Sequence, residues 1–158
     1  LSLPVTVVWP LLLPAESLPA AVSVTVVSAQ SGVLPSTVAM KEMSQPMYGV
    51  LNRMVKGEMP YDQAKANEAL EKLADAAPKI PQAFPATSKG KTSPDTRYSA
   101  SPKVWENRAD FEEYASNLAK TIADNRGKVT SLEGLKAAYP QINDACNGCH
   151  QDYRLRKS

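Results

Sequence analysis

The sequence predicts an all-α fold, an antiparallel four-helix bundle, on three observations. Apolar residues recur at three- and four-residue steps in four segments after residue 30, the spacing of one helix face. The connections between those segments are short except for one long stretch, 81–101, rich in Pro, Ser, Thr, Lys and Gly. The stripe of the last segment runs without a break into the chain's two cysteines and its one histidine. Three short or long links between four amphipathic helices give an up-down bundle.

The first helix covers about 36–56, with Gly57 as its C-terminal stop. Met40, Met43, Met47, Val50 or Leu51, and Met54 form its apolar stripe. Pro46 lies inside that helix, removes the bond its N–H would give to Glu42, and should bend it. After the turn at 58–61, Asp62 is a natural N-cap for a second helix reaching about residue 78. Its stripe is Ala66, Leu70, Leu73, Ala77 and Ile80. The third helix opens at Ser101-Pro102, a capping hydroxyl followed by proline at the first helical position. Val104, Phe111, Ala115, Leu118 and Ile122 face inward from it, with Trp105 beside them, and it ends near 125–127. Thr130 and Glu133 have capping-box spacing for the fourth helix. There Leu132, Leu135, Tyr139, Ile142, Cys146, Cys149 and Tyr153 step by threes and fours along one seam. Pro140 predicts a kink or break around 138–141. No segment after residue 30 reads as a strand, and there is no internal repeat.

The 158 residues suit one domain with a substantial core. A net charge of +2, from 18 basic and 16 acidic residues, argues against nucleic acid as a partner. Residues 1–29 differ in character from the domain at 30–158. Between Leu1 and Ala29 the only charge is Glu16, and small residues precede a cleavage position after Ala29, so this segment reads as signal-like or disordered. A retained extension and a membrane anchor are the alternatives. Pro4, Pro10, Pro14 and Pro19 interrupt the apolar run and argue against a membrane-spanning helix.

Cys146-Asn147-Gly148-Cys149-His150 carries the chemistry. C-x-x-C-H is the attachment sequence for a c-type haem. Two thiols add across the two vinyl groups of one porphyrin, and the adjacent imidazole becomes an axial ligand. Residues three and four apart share a helix face, so all three side chains meet the same porphyrin edge. Because the cysteines continue the packing seam, one covalent haem is expected in the bundle interior. The competing readings are a redox dithiol and a metal-binding or inert cysteine pair. A structural zinc site ordinarily needs four ligands, and this chain has three cysteines and histidines in all. A thioredoxin-like dithiol needs a βαβ context that the pattern lacks. Covalent haem requires an oxidising compartment, which points to export into the periplasm.

A haem motif at the C-terminal end of a four-helix chain resembles the class II cytochromes c, cytochrome c′ and its low-spin relatives. Met40-Lys41 with Met47, and Met54-Val55-Lys56-Gly57-Glu58, look like that family's first helix and its end. Pro60-Tyr61-Asp62 resembles the turn that follows, and 80–85 the exit from the second helix. Ser101-Pro102-Lys103-Val104-Trp105-Glu106 with Phe111 is similar to the third-helix start, and 146–154 matches the C-terminal signature with Tyr153-Arg154. The resemblance covers about 36–158. Two features depart from it. No base lies between Gln30 and Met40, where the family commonly has an arginine one turn before the methionine. The interval from Met40 to Gly57 is also about one residue longer than the resemblance leads one to expect; either Pro46 absorbs the extra residue or the methionine register is shifted.

The resemblance implies that His150 is the proximal ligand and that the first helix faces the other side of the haem. If a methionine binds the iron, the site is six-coordinate, higher in potential and closed to small ligands. Met40 matches the family's Met-Lys position; Met43 and Met47 share its stripe, where methionine also serves as ordinary core filler. Arg154, one turn beyond His150, either reaches the haem pocket or is a solvated base complementing the helix dipole. Trp105, Tyr98 and Phe84 are further aromatic candidates for contact with the porphyrin. The expected protein is a monohaem one-electron carrier and not an enzyme. It would exchange electrons with redox partner proteins, and the resemblance allows a homodimer. The rivals are a five-coordinate cytochrome c′ that binds nitric oxide or carbon monoxide, and a non-haem helical interaction protein.

Overall fold

The structure is a computed structural model that describes residues 32–94 and 96–157. The signal-like segment 1–29 lies outside the described residues. Four helical rods pack as an antiparallel bundle, and a two-stranded clasp closes one end.

The first rod is continuous but not uniform. α1 (Pro35–Ser44) passes into a π-helical stretch at Gln45–Leu51 and returns to α-helix in α2 (Asn52–Val55). Pro46, at the start of the π stretch, has no N–H to give, and its ring would strike the carbonyl of Glu42 in a regular helix. The backbone widens there, the geometry by which a helix accommodates an extra residue. Met43, Met47, Leu51 and Met54 are all buried, so the stripe survives the change of pitch. The rod ends in a Schellman motif: the Glu58 N–H donates to the Arg53 carbonyl at 2.9 Å and the Gly57 N–H to the Met54 carbonyl at 3.1 Å. Gly57 has φ of 74°, a left-handed conformation that costs a side-chain-bearing residue energy.

The second rod is α3 (Gln63–Ala76), continued by a 3₁₀ stretch at Ala77–Ala83. Asp62 caps it as expected, accepting from the Lys65 N–H at 3.0 Å. Ala66, Leu70, Leu73, Ala77 and Ile80 are buried.

The third rod begins at Ser101-Pro102 but is interrupted. α4 (Lys103–Glu106) is followed by a break at Asn107, and the main helix is α5 (Arg108–Arg126). Across the break Arg108 ties the second rod to the third. Its guanidinium donates to the Phe84 carbonyl at 3.0 Å and the Pro81 carbonyl at 2.7 Å, and pairs with Glu112 at 2.7 Å. The Phe84 carbonyl at the exit of the second rod is thereby satisfied, and the Pro81 carbonyl, which already accepts from the Phe84 N–H at 3.2 Å, gains a second donor.

The fourth rod is α6 (Leu132–Tyr153). Its N-cap is Ser131, which accepts from the Gly134 N–H at 3.1 Å, and not the expected Thr130. The expected break near Pro140 is also absent, and the helix runs through it. Pro140 sits on the exposed face, where water takes over the carbonyl that loses its partner.

Two strands correct the expectation that none exists. β1 (Tyr98–Ala100) pairs antiparallel with β2 (Arg154–Arg156), Tyr98 opposite Arg156 and Ala100 opposite Arg154. The Ser101 N–H donates to the Tyr153 carbonyl at 2.9 Å and the Lys157 N–H to the Arg97 carbonyl at 2.9 Å, extending the join at both ends. The stretch 81–101, expected as a loop, thus ends as an edge clamped to the residues that follow α6.

Candidate functional site

One cavity of about 340 Å³ opens where the clasp meets the bundle. All four rods and the connection 91–100 contribute to its wall. The motif residues and both ligand-side candidates line it: Cys146, Cys149 and His150 from α6, Met40 from α1, and Arg154 from β2. Met43 and Met47 also reach it, as do Phe84 and Tyr98. Trp105 is not among the lining residues; its indole N–H donates instead to the Pro85 carbonyl at 3.1 Å.

Helical spacing explains the convergence. Cys146, Cys149 and His150 lie on one face of the last two turns of α6, between the buried Ile142 and Tyr153. Behind them stands an aromatic stack. Phe84, Phe111, Tyr153 and Tyr114 meet edge-to-face in sequence, with ring centroids 5.1, 5.1 and 5.7 Å apart. The Tyr153 hydroxyl donates to Asp110 and the Tyr114 hydroxyl to Asp152, fixing α5 against α6 beside the cysteines.

Burial sets the protonation of the three motif residues. It pushes the thiols of Cys146 and Cys149 up to about 11, so both are neutral at physiological pH. It drives His150 down to about 4, helped by the nearby Arg154 cation, leaving a neutral imidazole with a free ring lone pair. The two cysteines form no disulfide.

Arg154 has a defined place. Its guanidinium lies over the Tyr98 ring, 4.4 Å from the centroid, and its side chain borders the cavity. Lys41 and Lys91 border it as well. The first helix lacks the family's upstream arginine; its cation at the wall is Lys41, and Lys91 and Arg154 come from other elements.

The wall suits an amphipathic macrocycle. Thiols at three-residue spacing, a neutral imidazole, thioether sulfurs and aromatic rings line the apolar part, and Lys41, Lys91 and Arg154 can balance two carboxylates at the rim. These residues fit a covalently held haem.

Sequence reasoning did not single out Ser93, Thr37 or Tyr48, which also line the cavity. Ser93 is 1% exposed; its hydroxyl accepts from the Leu34 N–H at 2.8 Å and shares a hydrogen bond with Thr37 at 2.7 Å. It pins the long connection to the start of α1. A serine in a polar stretch carries no periodic signal, so only the fold identifies it.

The comparisons with known proteins agree with this geometry. Residues 36–154 match the family model described as Cytochrome C′. The chain is 43% identical over 117 residues to cytochrome c-555 of Bradyrhizobium diazoefficiens, covering 74% of this chain and 78% of that one. It is 36% identical to cytochrome c-556 of Rhodopseudomonas palustris over 128 residues, 81% of this chain and 86% of the relative. The solved structure of cytochrome c′ from Rhodopseudomonas palustris superposes with a TM-score of 0.70 at 34% identity, covering 82% of this chain and all of the other. Covalent haem in that family removes the non-haem reading. With its four rods, its C-x-x-C-H face and a match along nearly the whole described chain, the protein belongs to the cytochrome c′ family, monohaem c-type cytochromes of four-helix-bundle fold.

Proposed function

We propose that this protein is a periplasmic one-electron carrier in which His150 and Met40 are the two axial ligands of a haem tethered through Cys146 and Cys149. The haem, when bound, supplies the one-electron iron couple. The chain supplies everything else. Cys146 and Cys149 fix the macrocycle to α6 so that ligand geometry is inherited from a rigid helix. His150 offers a neutral imidazole nitrogen, held unprotonated by burial. Phe84, Phe111 and Tyr114 exclude water from the apolar wall, and Arg154 with Lys91 balances negative charge at the rim. The relatives by family model and sequence are cytochromes, which supports the reading as carrier and not enzyme.

The observation that carries Met40 is its exposure pattern. All three methionines border the cavity, but Met43 and Met47, at 7% and 2% exposed, are buried in the core, whereas Met40 packs against that core and remains partly exposed. A thioether facing the cavity can turn to a metal without opening a hole elsewhere. Methionine ligation raises the potential and closes the iron to small ligands, both suited to electron transfer.

The second reading, a five-coordinate site that binds nitric oxide or carbon monoxide, has the relationship to cytochrome c′ in its favour. Optical spectra of the oxidised and reduced holoprotein, with and without carbon monoxide, separate the two. Sharp low-spin bands indifferent to the gas support His150–Met40 ligation. A broad high-spin spectrum that shifts on adding the gas supports the second reading.

A further inference from the structure

The clasp beside the cavity mouth concentrates positive charge far beyond the chain's average. Lys91, Arg97, Arg154, Arg156 and Lys157 belong to the connection 91–100 and to the residues from 154 onward that pair with it. Within these two stretches Asp95 is the one acid, so they hold four net positive charges in a chain whose total is +2. The rest of the protein is therefore net negative. Among the described residues no carboxylate forms an ion pair with any of the five cations. The clasp also presents Tyr98 and Leu155, 41% and 47% exposed, two of the four large apolar side chains that stand out into solvent among the described residues. The cross-strand register puts Tyr98, Arg154 and Arg156 on one face of the clasp, and the Arg154 guanidinium already lies over the Tyr98 ring. Arginine and tyrosine at the centre of a cationic rim form the composition of a protein-recognition surface.

We propose that the clasp β1–β2 is the docking surface for an acidic face of a redox partner protein, steered by these cations to the edge of the cavity. The proposal rests on the electron-carrier reading for its purpose, and names the partner's chemistry. Charge complementarity identifies the occupant, because Arg97, Arg156 and Lys157 lie off the cavity wall and stay cationic where Lys91 and Arg154 balance carboxylates at the rim, and that surplus gives orientation and on-rate to an acidic surface. Tyr98, on the same face as Arg154 and Arg156, then supplies apolar contact once the partner has arrived.

The test uses the reduced holoprotein and two oxidants, hexacyanoferrate(III) as a trianion and an uncharged quinone. The double variant Arg97→Glu/Arg156→Glu changes the clasp by four charges without touching the cavity wall. Lys56→Glu/Lys136→Glu makes the same change at the opposite end of the bundle. Oxidation by hexacyanoferrate(III) is expected to slow roughly tenfold in the clasp variant at low ionic strength and to recover with added salt. Lys56→Glu/Lys136→Glu should stay near the parent rate, and all three proteins should react alike with the quinone. Arg97→Gln/Arg156→Gln should give an intermediate rate, which guards against a folding artefact of charge reversal. Amide shifts of the ¹⁵N-labelled holoprotein on adding a deca-glutamate peptide should concentrate at 91–100 and 154–157.

Equal slowing in both Glu variants would overturn the proposal, since net charge alone would then explain it. So would peptide shifts spread over the lysines of α3 and α5, or tighter clasp binding to phosphatidylglycerol vesicles than to the peptide. Failure of the parent protein to react with either oxidant would instead refute the carrier reading, while the peptide titration still decides the docking surface.

Discussion

Met40 carries the functional choice, and its substitution makes the sharpest prediction. Met40→Ala should convert a low-spin spectrum into a high-spin one that responds to carbon monoxide. Met43→Leu and Met47→Leu should leave the spectrum unchanged and alter stability by less than about 1.5 kcal/mol, because volume is conserved in the core. Gly134 offers a test of packing. A Cβ at that position would stand 2.5 Å from the Lys128 carbonyl oxygen, a backbone atom with little freedom to retreat. Gly134→Ala should therefore lower unfolding stability by roughly 1–3 kcal/mol in chemical denaturation. Tyr153 sets a pH limit. Burial first, then its bond to Asp110, raises the phenol above its ordinary 10.0. The folded state thus keeps a proton that the unfolded chain releases, so this contribution is intact below pH 10 and falls away as pH rises past it. Tyr153→Phe should lose part of that alkaline decline when stability is followed across this range. At this scale the haem motif was fully legible, since two cysteines and one histidine can hardly be confused with filler. Arg108 was not, because its two carbonyl partners belong to another rod.

The elements were readable where one face of a helix is buried and obscure where two segments meet. Each stripe of the four rods was expected from spacing, and the buried residues follow it. The caps were less certain. Asp62 and Ser131 each accept a bond from the first turn, and replacing either by Ala should cost about 1 kcal/mol by thermal or denaturant unfolding. Thr130 has the spacing for the cap, but the backbone of Ser131 takes the extended conformation that a cap requires. Pro46 and Pro140 show that one residue type can act differently. The first is buried and shifts the helix to a wider pitch; the second faces solvent and leaves α6 continuous. Arg154-Leu155-Arg156 does alternate with period two, but three residues are too few to reveal a strand without their partner.

For the molecule as a whole, the cavity is the feature around which stability turns. A group held by two covalent links stays on the unfolded chain too, but only the folded state encloses it with four rods, so its burial is expected to favour folding. The double variant Cys146→Ser/Cys149→Ser should yield protein without a covalent pyridine haemochrome signal and with a lower melting temperature. Retention of the parent melting temperature would show that the bundle does not depend on the group it was built around. Among the described residues no helix is long and apolar enough to cross a membrane.

By itself the sequence determined the helical class, the four stripes, the attachment motif and the choice of face. Each of these depends on residues close together in the chain, where geometry is set by a repeat of 3.6. The tertiary structure decided what depends on residues far apart. It closed the cavity with Ser93 and Arg154, joined 98–100 to 154–156, and left Met40 partly exposed on a wall that the buried Met43 and Met47 share. Long-range contacts of that kind have no period to read, because they exist only once the rods have packed.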